Sequence, residues 1–333
     1  VYRPISLKAI ATDISRKYGG KLCRTWEQNK SVAQMIYHAA VDPNFFTNAT
    51  PGIALRDGFW CIEDGGIVRK DHSPDHRAIH YVDAVPQEGQ PSMLLDTLNE
   101  AFDGHHPVEQ IRQVRQIFGL VLFQLLSREQ RAVFFLGAPA SGKFTILKLL
   151  TSMFPETAVS SVSPLEWDDE KAKAAMANKL LNAVPEIDRD AKLPASHFKS
   201  VTGQDKIMAR MPFEKPFFFV CSAAQVFNGN FHPVITDTTE AFWRRWLMVR
   251  FARTRPTGER ITDYHEKIMA NEMGQILQWA FEGVLDYLEG DGKKPSVYES
   301  PQHHAEIEEW RGNANSVAVW LNDIGENGIR LNE

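Results

Sequence analysis

The stretch "GAPASGKFT", Gly137 to Thr145, limits what this chain can fold into more than any other feature. It has a glycine, four further residues and then Gly-Lys. A short apolar run, "RAVFFLG" (131–137), leads into it, and "KFTILKLLTSMF" (143–154), with apolar residues at helical spacing, leads out. Strand, tight loop and helix in that order begin an α/β unit. Small residues let successive backbone N–H groups turn inward around an anion. The helix N-terminus adds its partial positive charge, and a lysine reaches the outer phosphates. Gly137 and Gly142 supply the tight turns, and Lys143 is the reaching lysine. The loop reads as a cradle for ATP made of Gly137, Ala138, Pro139, Ala140, Ser141, Gly142, Lys143, Phe144 and Thr145. The position after the lysine ordinarily carries the hydroxyl that binds magnesium. Here it is Phe144, and Thr145 stands one place later. An ordinary glycine turn with a surface lysine is the bland alternative. The strand before the loop and the helix after it favour the nucleotide site.

Downstream segments extend the α/β pattern. "KLLNAVPEID" (179–188) reads as a second apolar strand, "KPFFFVCSA" (215–223) as a third and "FWRRWLMVRF" (242–251) as a fourth. Apolar strands alternating with helices predict a parallel core. Upstream, "SVAQMIYHAAV" (31–41) has helical spacing, and "GIALRDGFWCIEDGGIVRK" reads as two short strands around the turn "EDGG". "VPQEGQPS" (85–92) reads as a linker, followed by the helical stretches "SMLLDTLNEAF" and "HPVEQIRQVRQIFGLVLFQLLS". After the core come the amphipathic helix "QILQWAFEGVLDYLEG" (275–290), the linker "DGKKPS" and a small piece holding "VAVWLNDI". The expected organisation is an α+β region over 1–90, a helical collar over 91–127, the core over 128–255 and a helical region over 256–333.

Composition adds bounds. The formal net charge of -5 announces no global basic field for nucleic acid. Cys23, Cys61 and Cys221 lie far apart without a CxxC pair, which reads as reduced thiols and no zinc site. No apolar run reaches the roughly 18 residues of a membrane helix. With no signal peptide, the expectation is a cytoplasmic protein and no membrane partner. The chain begins at Val1 rather than Met, as a piece of a longer protein would.

Three further constellations carry chemistry. "PEID" ends the second apolar run and offers Glu186 and Asp188 to hold magnesium and polarise an attacking water, although "EIDRD" is equally good loop composition. "DKIMARMPFEKPFFF" reads as two strands around "MPFEK", bearing Lys206, Arg210 and Lys215. A basic hairpin beside an ATP site suits phosphate contact with single-stranded DNA; on spacing alone a solvated hairpin is the better reading. Arg244 and Arg245 open the last strand. Such a pair would stabilise charge on a γ-phosphoryl group across a subunit boundary, or would pair with surface acids.

Taken together, the phosphate loop, "PEID", "FKSVTGQDKIMAR" and "TEAFWRRWLMVRF" resemble, in order and interval, the superfamily-three helicases of the AAA+ class, in the branch of phage, plasmid and poxvirus primase-helicases. "TPGIALRDGFWCIEDGGIVRKDHSPDH" resembles the piece those proteins carry before the helicase. The likeness covers about residues 45 to 255. It implies an α/β AAA+ phosphate-loop core with a parallel sheet, flanked by helical N- and C-terminal parts. It also implies a hexameric homo-oligomer that uses ATP and Mg2+ to pull single-stranded DNA through its centre, with a primase or polymerase module in the same polypeptide or replisome. By that resemblance Lys143 is the loop lysine, Thr145 with Glu186 and Asp188 the magnesium set, Lys206, Arg210 and Lys215 the DNA contacts, and Arg244 and Arg245 the source of the finger.

The sequence departs from the family at two places. Phe144 replaces a small residue. The asparagine that senses the γ-phosphate at the end of the third strand falls, on the assignment above, at Ala224, with Gln225 or Ser222 as substitutes. Both departures point toward an alternative: a weakly hydrolysing nucleotide-binding ring serving as DNA-binding and oligomerisation module of a primase-polymerase. A phosphate-loop nucleotide kinase is a minor alternative, since a kinase has no use for the basic hairpin.

Overall fold

The computed structural model describes residues 5–19, 25–40, 49–188, 190–212, 214–235, 237–256, 258 and 261–314. Cys23, Phe213 of the expected hairpin turn and the C-terminal "VAVWLNDI" lie outside them.

Helices α1 (Leu7–Tyr18) and α2 (Trp26–Ala40) pack on each other through Ala11, Ile14 and Ala33. A four-stranded sheet follows, built from β1 (Gly52–Leu55), β2 (Gly58–Glu63), β3 (Gly66–Lys70) and β4 (Tyr81–Val82) in the order β3-β2-β1-β4. The expected pair of strands is therefore three. "EDGG" turns as expected, with Asp64 and Gly65 both at positive φ, the pattern of a two-residue hairpin loop. The chain also turns at Arg56 and Asp57, splitting the first expected strand in two.

Helices α3 (Ser92–Ala101) and α4 (Pro107–Leu122) lead to the core. The core comprises β5 (Ala132–Gly137), α5 (Lys143–Ser152), β6 (Val159–Ser160), α6 (Glu170–Ala174), β7 (Leu181–Ile187), α7 (Ala195–Thr202), β8 (Lys206–Ala209), β9 (Phe217–Val220), β10 (Ala224–Gly229), α8 (Glu240–Trp243) and β11 (Trp246–Phe251). The long α9 (Tyr264–Glu289) and α10 (Pro301–Ala314) complete the described chain. Five strands form one parallel sheet in the order β11-β5-β10-β7-β6.

Because successive side chains of a strand point to opposite faces, β5 splits its apolar residues between two cores. Val133 and Phe135 join α4, α5 and α9; Phe134 and Leu136 join an aromatic cluster. In that cluster Trp246 stacks on Phe198 at 4.4 Å between ring centres and meets Trp310 of α10 at 5.1 Å. Helices α4 and α9 approach closely because each brings a glycine to the crossing. A Cβ on Gly119 would stand 2.3 Å from Ala280 O, and one on Gly283 would stand 2.2 Å from Arg115 O. The edge strand β11 is closed by side chains: Gln113 Nε2 donates to Met248 O, His303 Nδ1 accepts from Met248 N and Gln110 Oε1 accepts from Arg250 N. That leaves less of the ladder open to a foreign strand.

Two assignments made from sequence are corrected here. "KPFFFVCSA" is not the third strand of the sheet: its strand, β9, pairs only with β8 in the separate hairpin, and the sheet takes the next segment, β10. Strand and hairpin compete for the same apolar run, and β10, buried at every residue, wins the place between β5 and β7. The last strand begins at Trp246 rather than Phe242, because Glu240–Trp243 forms a helical turn.

Candidate functional site

All five core strands point their C-terminal ends the same way, and the conspicuous polar groups gather there. Gly137 ends β5 and cannot carry a side chain, because a Cβ would meet Phe251 O at 2.4 Å. Ala140 and Gly142 take positive φ, +61° and +92°, so the loop reverses twice before α5 starts at Lys143. No side chain caps that helix, which leaves the first-turn N–H groups facing the loop's concavity. The N–H of Arg255 braces the loop from outside, donating to Ala140 O at 3.1 Å.

Lys143 is buried, and its ammonium donates to two neutral oxygens, Ala138 O at 3.1 Å and Asn230 Oδ1 at 2.7 Å. Burial pulls its pKa below the ordinary lysine value, while the Glu186 carboxylate pulls the other way. A desolvated cation whose direct partners are all neutral fits an anion at this point. Asn230 Nδ2 in turn donates to Glu186 Oε1 at 2.7 Å. One side chain thus bridges the loop lysine and the acid at the end of β7. Asn230 lies one residue beyond β10, so the strand correction carries a second one. Ala224 is the first residue of β10, at the far end from this cluster. Its suggested substitutes are engaged elsewhere: Gln225 with Asn182 and Ala223 O, Ser222 with Lys179 O. The signal for Asn230 was available in "FNGN", had the strand been placed correctly.

Phe144 and Thr145 occupy the first turn of α5. Phe144 is half exposed and stands at the edge of a cleft of about 340 Å³, with Lys148 Nζ 5.5 Å from its ring centre. The cleft is lined by the loop from Ala140 to Thr145, by Thr97, Glu100 and Ala101 of α3, and by Arg253, Arg255, Ile261 and Tyr264. Glu100 pairs with both Arg253 and Arg255. None of these α3 and post-β11 residues was singled out from the sequence, because only the fold brings residues 97–101 beside the loop. Of the three residues expected to hold a divalent cation, Thr145 lines the cleft, Glu186 accepts from Asn230, and Asp188 stands exposed just past the end of β7.

The remaining predicted residues lie elsewhere. Trp246 pairs with Ala132 at the start of β5, and Phe251 pairs with Gly137 at its end. The arginine pair is therefore a strand's length, about 17 Å, from its own loop. Arg244 is exposed. Arg245 is buried against Gly203, with its guanidinium donating to Ala241 O. Lys206 opens β8 on its exposed face, Arg210 stands exposed one residue past the end of β8, and Lys215 stands exposed in the connection to β9. Glu170 flanks Arg210 at 3.7 Å.

Comparison with known proteins adds little beyond this geometry. A model described as "Family of unknown function (DUF5906)" matches residues 135–245, from β5 through the arginine pair. No curated protein matches. Among solved structures, the chain is similar to an A-form apo structure of the NrS-1 C-terminal region at 17% identity and a TM-score of 0.47, covering 74% of this chain and 60% of that one. An apo structure of NrS-1 residues 305–718 is similar at 18% and 0.49, covering 68% and 53%. A ligand-bound JCV helicase is similar at 15% and 0.28, covering 67% and 65%. The chain thus spans 60% or less of the two NrS-1 structures it resembles. No described helix is long and apolar enough to cross a membrane. What the chain is, on its own strand order, is an α/β protein with a five-stranded parallel sheet and flanking helices.

Proposed function

We propose that this chain is the ATP-hydrolysing core of a ring-forming single-stranded-DNA translocase of the superfamily-three helicase type, acting with a primase or polymerase module in replication of a mobile element. The observation that carries this reading is the Lys143–Asn230–Glu186 chain of hydrogen bonds at the C-terminal edge of the sheet. A nucleoside triphosphatase needs a cation on the outer phosphates, a polar sensor of the terminal phosphate and a carboxylate to orient water, side by side. These three groups are in contact already.

On this reading the backbone N–H groups from Ala140 to Thr145 take the phosphates, and Lys143 exchanges Asn230 for a phosphate oxygen. Glu186, held by Asn230, orients the attacking water. A bound divalent cation would draw off charge from the phosphate oxygens, with the Thr145 hydroxyl as its protein ligand. Arg244 is too far away to serve its own loop and would act on the neighbouring subunit's nucleotide, which makes assembly a condition for turnover. Single-turnover hydrolysis of ATP with and without single-stranded DNA tests the proposal. DNA-stimulated hydrolysis that Lys143→Ala abolishes is expected. Binding of an ATP analogue without any hydrolysis would favour the weakly hydrolysing ring instead, for which the half-exposed Phe144 at the cleft is the supporting observation.

A further inference from the structure

The β8–β9 hairpin carries more than its basic residues. Its register sets Lys206 opposite Val220, Ile207 opposite Phe219, Met208 opposite Phe218 and Ala209 opposite Phe217. Ile207 and part of Phe219 pack on the aromatic core, with Ala209 buried and Phe217 half-buried on the same face. The alternation then forces Lys206, Met208, Phe218 and Val220 onto the outer face, with Arg210 continuing the row beyond Met208. Phe218 is 67% exposed, Val220 41% and Met208 39%. An apolar row of this kind on a two-stranded hairpin would ordinarily be polar, and an exposed aromatic there marks a contact surface.

The surroundings indicate the partner. Phe218 and Met208 sit side by side, so they present a flat, polarisable surface wide enough for one base. Lys206 precedes Met208 by one alternation on β8, Arg210 follows it by the same spacing just past the strand's end, and Lys215 lies in the connection. Glu170 partly offsets Arg210, and the exposed Asp205 and Glu214 lie beyond either end of the face. An aromatic between cations suits a strand with bare bases and a charged backbone. It does not suit duplex DNA, whose bases are stacked inside.

We propose that this face is a base-stacking platform for single-stranded nucleic acid, with Phe218 stacking on a base, Met208 beside it, and Lys206 and Arg210 meeting the flanking phosphates. It rests on the reading of the chain as a single-strand translocase and adds that the hairpin grips bases as well as backbone. The grip carries no hydrogen-bond code, so it tolerates any sequence.

The test compares two fluorescent oligonucleotides of equal length, an oligo-dT and a wholly abasic strand, by anisotropy across a salt series. Wild-type protein is expected to bind oligo-dT about tenfold more tightly than the abasic strand, as one stacked base would give. Phe218→Ala should remove that preference without changing the salt slope, and Phe218→Trp should keep it. The exposure of Phe218 makes both variants compatible with folding. Equal wild-type affinity for both strands, or a Phe218→Ala loss that is the same on both, overturns the stacking role while leaving the translocase reading intact. Wild-type binding to neither strand overturns the translocase reading itself. A Phe218→Ala change in assembly size by light scattering, with strand preference kept, would make the face a contact between subunits and overturn the proposal.

Discussion

Asn230 Oδ1 accepts from Lys143 Nζ at 2.7 Å, so the loop lysine and the residue leaving β10 are tied before any phosphate arrives. The same amide's nitrogen holds Glu186. On the proposed function, a phosphate oxygen that accepts a hydrogen bond from Lys143 in place of Asn230 Oδ1 would free the amide, and with it the hold on Glu186. Occupancy of the loop would then be coupled to the placement of Glu186, the acid proposed to orient water.

Asn230→Ala should therefore separate binding from chemistry. Affinity for a non-hydrolysable ATP analogue should change no more than severalfold. Single-turnover hydrolysis should fall on the order of a hundredfold, the usual cost of removing one preorganised polar group at a reacting centre. Calorimetric binding and quench-flow hydrolysis on the same preparation check it. Equal losses in both would reduce Asn230 to a support for Lys143.

Phe144 is expected to slow hydrolysis and Thr145 to be needed for it. Consecutive helical residues point about 100° apart, so a hydroxyl at Thr145 reaches the loop's concavity only if the first turn rotates slightly. The small residues Ala138, Ala140 and Ser141 would permit that rotation. Phe144→Gly should raise the steady-state rate although it costs about 0.5 kcal/mol of helix propensity, and Thr145→Ala should lower it. A slower Phe144→Gly enzyme, or an unaffected Thr145→Ala enzyme, contradicts this account of the loop.

The two arginines should behave differently despite being neighbours. Arg245 is buried and bonded to Ala241 O, so Arg245→Ala should lower the melting temperature first. Arg244 is exposed and remote from its own loop. Arg244→Ala should keep analogue binding and lose hydrolysis. Mixing Arg244→Ala with Lys143→Ala protein should restore part of the rate, because an intact loop of one then meets an intact arginine of the other. No restoration in mixed assemblies would rule out action between subunits.

Much of this was legible in the sequence. The glycine loop with its flanking strand and helix, the hairpin and the C-terminal part of α9 all follow from local apolar spacing and turn chemistry; α9 itself begins earlier, at Tyr264 rather than Gln275. What failed was a choice between two adjacent apolar runs, "FFFV" and "AQVF": both satisfy the pattern of a buried strand, and only pairing with β5 and β7 decides between them. That one shift moved the strand end from Ala224 to Gly229 and hid Asn230. Glu100, Arg253 and Tyr264 were illegible for a different reason. Their place at the cleft depends on α3 and the start of α9 meeting at the loop, over sequence separations of more than a hundred residues.

The helix crossing beneath the sheet gives a stability prediction independent of function. Gly283→Ala should destabilise the fold by about 1–3 kcal/mol, the usual cost of overpacking a core. The new methyl would press on backbone, Arg115 O at 2.2 Å and Arg115 C at 2.6 Å, which cannot swing aside as a side chain would. Urea denaturation of the variant checks it, and an unchanged midpoint would mean that the helices can part without penalty.

Acid should weaken the attachment of α10. His303 Nδ1 accepts from the Met248 N–H at 3.0 Å, so the neutral ring carries its proton on Nε2, and a proton on Nδ1 would end that bond. Burial is the main reason its pKa falls to about 4; Glu299 opposes the fall, while His304 and Arg131 add to it. A folded pKa below the unfolded value of about 6.5 means that the unfolded chain binds more protons in between. Stability is therefore full above about pH 6.5 and declines as pH falls toward 4, by at most about 3 kcal/mol from this residue. His80, whose pKa burial also lowers, acts in the same direction, as do carboxylates held below their usual range such as Asp286 and Glu306. The informative quantity is accordingly a difference. His303→Asn keeps an acceptor for Met248 N–H that does not titrate, so its unfolding free energy should decline less steeply than the wild type's between pH 6.5 and 4.5. Parallel declines would show that His303 takes up its proton at the same pH in the folded and the unfolded chain, so that neither burial nor the bond to Met248 opposes it.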